Sequence, residues 1–368
     1  MSKANVLASL ATDVNELSSL ADQISEIEGA IEQANTNFHA IQSLPEIPEI
    51  PEIPPPVLSF RNKIINGNFA IWQRGTTSIS PHSGYQTADR WYLGANIGNS
   101  RNNDSPAEFQ YSLDVNGSVA DSNGYALLFH RIESKNIISS IGKKLTLSAY
   151  VRNIGTSTAN VSAEIYYPNS TDNWAAQTLV GGLTTQAITN EWSRIVFPSF
   201  DVPADANKGL EVRIFRYDAS NSQQWRITGV QLEEGEVATP FEHRPLGLEL
   251  SLCKRYYQKS CDYHVSVENI RTTDPNWTRG VQSFQPLGGG YGTQKDIRFS
   301  VQMRSTPTIY IYSPGTGAAR VWNNSLSADL GYTHVYGVGN ESFYISAGGD
   351  NSADGTHCHF HWNAEDEL

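Results

Sequence analysis

KLTLSAYV, residues 144–151, sends Leu145, Leu147, Ala149 and Val151 to one side of an extended chain and Lys144, Thr146, Ser148 and Tyr150 to the other. Side chains alternate with a period of two along a strand, so this pattern predicts a strand with one face in a core. The alternation returns in NVSAEIYY (160–167), with Val161, Ala163, Ile165 and Tyr167 on one side. It returns again in LEVRIFRY (210–217), where Leu210, Val212 and Ile214 oppose Arg213, Phe215 and Tyr217. Turn-forming runs such as NIGTSTAN (153–160) and PADANKG (203–209) separate these stretches. Short half-buried strands at this spacing predict a β-sandwich, and residues 60–243 suffice for one jelly roll of about eight strands.

Downstream, VATPFEHRPLGLELSLCKRYY (237–257) reads as a junction broken by Pro240 and Pro245, with a short helix near Leu248–Tyr257. DIRFSVQM (296–303), PTIYIYSP (307–314), ESFYISA (341–347) and THCHFHW (356–362) then alternate between Gly-rich loops. They predict a second, smaller β domain over 244–368.

Upstream the period changes. Leu17, Leu20, Ile24, Ile27, Ile31, Ala34, Phe38 and Ile41 are spaced 3,4,3,4,3,4,3, a heptad seam. Leu7, Leu10, Val14 and Leu17 keep the rhythm, with one early step, a stammer, at Leu20. β-Branched residues at both seam positions favour three or four strands over two. The helix is expected over residues 1–44, with about 55 Å between Leu7 and Leu44, and Pro45 stops it. Its flanking charges are nearly all acidic, and Gly29, Asn35, Thr36 and Asn37 are poor helix formers, so a more basic docking partner is expected. PEIPEIPEIPPP (45–56) follows, within a polyproline rod over 45–59. Three residues per turn stack Ile47, Ile50 and Ile53 in one column, which three parallel chains can turn inward. Seam and rod together predict a homotrimer.

Composition narrows the function classes. The chain has 368 residues, 39% of them apolar, and eight Trp, seventeen Tyr and thirteen Phe, enough for packed cores. Net charge is −12, and residues 1–56 hold nine acidic groups against Lys3 alone. No basic stripe tracks phosphates, so nucleic-acid binding is not expected. No apolar run reaches the roughly 20 residues of a membrane span, and the start lacks the apolar core of a secretory signal. Cys253, Cys261 and Cys358 show no metal-ligand spacing and fit reduced thiols of a protein made in the cytosol. No cofactor motif is present: LGGGYGT (287–293) lacks the Lys-Ser/Thr and helix of a phosphate loop.

Five phrases in order carry a family likeness: NKIINGNFAIWQRGT (62–76), ADRWYL (88–93), VQLEEGEVATPFEHRPLGLELSLCKRYYQKS (230–260), MRSTPTIYIYS (303–313) and FHWNAEDEL (360–368). Together they resemble the tail-fibre or receptor-binding proteins of tailed bacteriophages, over roughly 60–270, the MRSTPT strand and the end of the sequence. The resemblance implies a domain similar to jelly-roll carbohydrate-binding modules, a homotrimer on the virion tail, attachment through the N-terminal part to a tail or baseplate protein, and a host-surface glycan as receptor. The protein is expected to act outside the cell, and with no nucleophile motif and no repeat of about 20–25 residues in the sequence, catalysis is not expected. Two other readings stay open: a baseplate or adaptor subunit without host contact, and a depolymerase tailspike. The last would need paired carboxylates in a groove, and Glu233, Glu234 and Glu236 are the ones available.

Glycan recognition needs exposed ring faces beside polar groups. In the jelly roll Trp174 is the first candidate, in PNSTDNWAAQ (168–177), which reads as a loop; Trp72, Trp91, Tyr92, Trp192 and Trp225 sit in strand-like stretches and read as core. In the second domain Trp277, Tyr291, Tyr310, Tyr312, Trp322, Tyr332 and Tyr336 lie in or near polar loops, with Trp322 and Tyr332 foremost and Tyr312 and Trp277 next. In THCHFHW, Cys358, Phe360 and Trp362 are expected in the core and His357, His359 and His361 outward. Rings of His357 and His359 around a threefold axis are the one speculative metal site; the reading favoured is a solvated or receptor-facing histidine row.

Overall fold

The computed structural model describes residues 2–42, 60–78, 84–86, 88–94, 98–117, 125–154, 159–217, 223–263, 265–274, 277–285, 293–349 and 357–368. Ile47, Ile50 and Ile53 of the Pro-Glu-Ile run, and Tyr291, lie outside them. The chain divides into two units, Met1–Val57 and Leu58–Leu368. The described residues are mostly β, in antiparallel sheets, with one long helix.

That helix is α1 (Lys3–Gln42). It continues through the weak helix formers because their polar groups bond within the helix: Thr36 donates its hydroxyl to the Glu32 carbonyl (2.8 Å) and Gln33 donates to Asn37 (3.2 Å). The seam is uncovered. Leu7, Leu10, Val14, Leu17, Leu20, Ile24, Ile27, Ile31 and Phe38 are each 50–66% exposed.

The jelly roll pairs two sheets. One runs in the order β1 (Thr77–Ser78), β3 (Gly98–Asn102), β4 (Ser112–Gly117), β12 (Gln223–Glu234), β6 (Lys144–Asn153), β10 (Phe200–Asp201), with β9 (Ser193–Val196) also on β6. The other runs β2 (Trp91–Gly94), β5 (Tyr125–Ile132), β11 (Leu210–Tyr217), β7 (Ala159–Ser170), β8 (Asn173–Ile188). The alternation in the sequence is realised: Leu145, Leu147, Ala149 and Val151 face Val161, Ala163, Ile165, Leu210, Val212 and Ile214 across one buried core. Trp72, Trp91 and Trp225 are fully buried there, each burial contributing about 1.5–3 kcal/mol or more. Trp192 is half-buried and donates its indole N–H to Asp104 (3.1 Å).

The stretch read as a loop around Trp174 is instead a hairpin. β7 and β8 pair down to Ser170 opposite Asn173, leaving Thr171 and Asp172 as the turn. Asp172 takes φ of 52°, a left-handed conformation that Asp tolerates and tight hairpins require.

Helix α2 (Leu246–Lys254) leads into a second group of strands within the same unit. Its central strand, β21 (Cys358–Glu365), pairs with β13 (Tyr257–Lys259), β14 (Gln282–Phe284), β16 (Thr308–Tyr312) and β17 (Trp322–Asn323). β17 also pairs with β18 (Ala328–Asp329). A three-stranded sheet, β15 (Thr293–Arg298), β20 (Ser342–Gly348), β19 (Tyr332–Tyr336), packs against it over a core of Ile297, Met303, Phe343, Ile345, Phe360 and Trp362.

The residues that carry the family likeness act as fasteners. Asn62 donates to the Val230 carbonyl (3.1 Å) and accepts from Ile64 N (3.0 Å) and Leu232 N (3.1 Å). Asn66, at φ 59°, donates to the Ile71 (2.9 Å) and Asp89 (3.0 Å) carbonyls and accepts from Ile71 N (3.0 Å). Gly67 is required beside it, because a Cβ there would stand 2.1 Å from the Val230 carbonyl oxygen. Arg244 donates to the Ile64 carbonyl (3.1 Å) and pairs with Glu249 (3.2 Å), tying α2 to the same segment. These contacts fasten the scaffold and its junction.

Candidate functional site

The outer face of the five-stranded sheet carries an aromatic and charged platform. Register sets it in rows across the strands. Tyr92, Phe129, Arg213 and Glu164 face one another in one row, and Arg131, Glu211 and Tyr166 in the next. These positions alternate with the buried Trp91, His130, Val212 and Ile165, so they point away from the core.

Glu211 organises the platform. It is fully buried, and its two carboxylate oxygens accept from Arg131 Nε and Arg213 Nε, both at 2.7 Å. A buried carboxylate held this way fixes both guanidinium planes. Arg213 then lies 3.8 Å over the Tyr166 ring and 5.1 Å from that of Phe129. Arg131 sits 5.2 Å from both Tyr92 and Trp174. Tyr92 meets Phe129 edge-on (5.4 Å) and Tyr85 edge-on (5.3 Å). Tyr166 donates its hydroxyl to Glu164 (2.9 Å); burial, and behind it that carboxylate, raises the phenol pKa. Gly94 leaves room for the Phe129 ring, which a Cβ would meet at 2.3 Å. The result is half-buried rings in fixed orientation, flanked by guanidinium and carboxylate groups. Arg213 Nη1 and Nη2 have no hydrogen-bond partner among the described residues. Such a surface can stack on the C–H face of a sugar and donate to its hydroxyls.

The sequence-derived candidates do not converge. Trp174 alone joins the platform, half-buried, against Arg131 and the cluster of Ile65, Ile71, Cys253, Tyr256 and Leu368. Its indole N–H has no partner among the described residues. Trp277 packs edge-on to His359 (5.5 Å), and its carbonyl accepts from His361 Nε2 (2.8 Å). Tyr312 packs near Trp277, with its hydroxyl oxygen accepting from Asn363 (3.2 Å), and burial pushes its phenol up to about 12. Trp322 lies over Gly315, where a Cβ would meet its ring at 2.1 Å, and its N–H also has no partner among the described residues. Tyr332 begins a ladder with His334 (5.3 Å) and Tyr336 (5.9 Å from His334), continued by Tyr344 (5.5 Å from Tyr336). Tyr310 and Tyr312 border a shallow groove of about 260 Å³ with Ile309 and Val335.

Two readings need correction. Tyr92, placed with the core residues, stands on the outer face, because β2 alternates and Trp91 takes the inner position. His361, placed outward, is fully buried: Ser260 and Trp277 cover it, and its Nδ1 lies 3.0 Å from the Ser260 hydroxyl. Burial, and secondarily His359, lowers its pKa. His359 is half-buried and His357 exposed, and Cys358, Phe360 and Trp362 are in the core. Among the described residues no group of three His, Cys, Asp or Glu side chains could hold a metal.

The carboxylates offered for catalysis serve the scaffold. Glu233 is buried and accepts from Gln231 (2.7 Å), Thr239 N (2.8 Å) and Thr239 Oγ1 (2.5 Å). Glu234 takes Ser140 (2.8 Å) and Lys143 (2.7 Å), and Glu236 pairs with Lys144 (3.1 Å). A cleft of about 360 Å³ at the junction is lined by Gln73, Lys254, Lys259, Cys261, Arg298 and Trp362, among others. Lys259 there spends its ammonium on the carbonyls of Gln73, Tyr263 (3.0 Å) and Val265.

No protein-family model and no curated protein matches the chain. Among solved structures it is similar to a putative sugar binding protein from Bacteroides thetaiotaomicron, at 14% identity and a TM-score of 0.35, over 47% of this chain and 100% of that one. It is similar to the C-terminal family 22 carbohydrate binding module of Clostridium thermocellum Xyn10B, at 15% identity and a TM-score of 0.33, over 45% and 98%. It is also similar to the enzymatically active domain of Bacteriophage CBA120 tailspike protein 4, at 15% identity and a TM-score of 0.31, over 48% of this chain and 22% of that one.

Proposed function

We propose that this protein is a trimeric, non-catalytic glycan-binding fibre of a phage tail, in which the jelly-roll platform engages host-surface saccharide. The observation that carries the reading is the set of half-buried rings, Tyr92, Phe129, Tyr166 and Trp174, held by the Arg131–Glu211–Arg213 bridge on an open sheet face. Rings fixed in advance lose little entropy on binding, and the flanking donors and acceptors supply orientation.

Trimerisation through α1 supports the same function. Nine heptad-spaced apolar side chains at 50–66% exposure cannot stabilise a lone helix in water. Two further copies of the same stripe would cover them, and three weak sites on one fibre raise avidity without tight single sites. α1 and the Pro-Glu-Ile run then serve attachment to a tail or baseplate protein, and the Tyr332–His334–Tyr336 ladder of the second domain adds a further exposed aromatic face for host contact. Glu233 and Glu234 are engaged in structural bonds, which argues for recognition over cleavage.

The test is a printed array of bacterial surface polysaccharides probed with the full chain and with Phe129→Ala and Tyr166→Ala. Signal that both substitutions weaken supports the reading. Binding that ignores both, or no binding to any polysaccharide, rejects the platform as the receptor site. Release of reducing ends from a bound polysaccharide would favour the depolymerase instead.

A further inference from the structure

We propose that Glu367 and Leu368, which follow β21, are positioning residues for the jelly-roll platform, so that ligand binding there is coupled to how this segment seats against it. This inference rests on the glycan-binding reading.

The physical link is continuous. Glu367 pairs with Arg90, which is fully buried, and with Arg74 (3.2 Å). Arg90 also stacks 3.5 Å over Tyr256 and donates to the Arg131 carbonyl (2.7 Å). Leu368 is 9% exposed and packs in the cluster that Trp174 joins. Its carbonyl oxygen accepts from Tyr85 (3.0 Å) and from Arg131 Nη1. Arg131 is thus held from behind by Arg90 and from the side by Leu368, while its Nε holds Glu211 and its plane meets Tyr92 and Trp174. Through Glu211 the chain of contacts reaches Arg213, Tyr166 and Phe129. Asp366 anchors the segment from the other side, on Arg304 (2.8 Å) and Ser305 (2.8 Å).

Arg131 therefore has one orientation when the segment is seated. If Glu367 loses its charge, Arg90 is left buried without its anion, the Arg131 backbone loses a fixed donor, and the platform rings lose their common frame. Linkage makes this reciprocal: a ligand that favours the ordered platform also favours the seated segment.

The experiment uses the full chain and, as probe, the polysaccharide giving the strongest array signal. Glu367→Gln lowers affinity about tenfold and Glu367→Asp recovers part of the loss; Leu368→Ala, which removes packing beside Trp174 but keeps the oxygen that Arg131 bonds, gives a smaller loss. Glu133→Gln is the control: it weakens the Arg255–Glu133 pair (2.9 Å) and the Tyr256–Glu133 hydrogen bond (3.2 Å) at the same junction while keeping the Glu367–Arg90 pair and the Leu368–Arg131 bond, and leaves affinity unchanged. In hydrogen exchange without ligand, Glu367→Gln speeds exchange in 125–132 and 173–179, and Glu133→Gln does not. Should Glu367→Gln fold poorly, Leu368→Ala carries the test. Wild-type affinity in both variants, or equal loss in Glu133→Gln, overturns the proposal. No binding by the wild type with unequal exchange would reject the glycan reading while leaving the positioning role measured; equal exchange would reject both.

Discussion

Helix α1 and the jelly roll both place apolar residues at regular spacing, yet they bury them differently. In β6 the alternating Leu145, Leu147, Ala149 and Val151 are all fully buried, because β7 and β11 of the same chain supply the opposing face. In α1 the seam from Leu7 to Phe38 remains 50–66% exposed. A sandwich completes its core within one chain, since strands pair and then stack. A lone amphipathic helix carries an apolar stripe that its own backbone cannot cover. Apolar periodicity thus states what must be covered, and only the fold states whether this chain covers it.

Substitutions can break that contrast. The largest effect is expected from Ile24→Asp combined with Ile27→Asp, which puts two carboxylates into each helix of the proposed bundle. Light scattering should move from three chains to one, and a three-chain mass in the variant would place assembly outside α1. Next, Trp225→Ala removes a fully buried core ring and should cost about 3–5 kcal/mol in denaturant unfolding. The assembled mass should not change, because that core is internal; a fall in mass would blur the distinction between the two regions. Smaller again, Phe129→Ala or Tyr166→Ala on the platform should weaken polysaccharide binding about tenfold, or about 1.4 kcal/mol, with little loss of thermal stability.

The smallest effect is a pH dependence confined to the β unit. Burial, with Arg90 as the next cause, holds His130 neutral well below the usual imidazole range, and burial also lowers His359 and His361. The unfolded chain takes up protons at these positions as pH falls through about 6.5, while the folded chain resists. Protons then favour unfolding, so this contribution is fully present above pH 6.5 and is lost as pH falls below it. Melting temperature measured from pH 7.5 to 5 should decline; a flat profile would mean that these imidazoles protonate in place.

Much of the fold could be read from residues alone. Leu145 to Val151, Val161 to Tyr167 and Leu210 to Ile214 announced their faces by alternation, and Cys358, Phe360 and Trp362 did the same. Trp91 and Trp225 lay in such patterns and are core, while Trp72, also read as strand-like, is core in an irregular segment before β1. The platform was scarcely legible. Its members come from positions 92, 129, 131, 166, 174, 211 and 213, and only strand register brings them into adjacent rows. Arg213 and Phe215 were visible as outward residues of LEVRIFRY, but Glu211, also outward by alternation, is fully buried because two arginines close over it. His361 escaped for the same reason: alternation names a side of the strand, and other segments decide whether that side meets water.

Local patterning by itself determined that this chain contains a heptad-spaced helix and alternating strands, because backbone geometry repeats every few residues and writes that period into the sequence. Tertiary structure alone decided which outward faces stay open, which charges become buried pairs, and that Leu368, and Glu367 through Arg90, reach Arg131. Those outcomes depend on contacts between residues far apart in the chain, and short-range periodicity carries no information about distance across a fold.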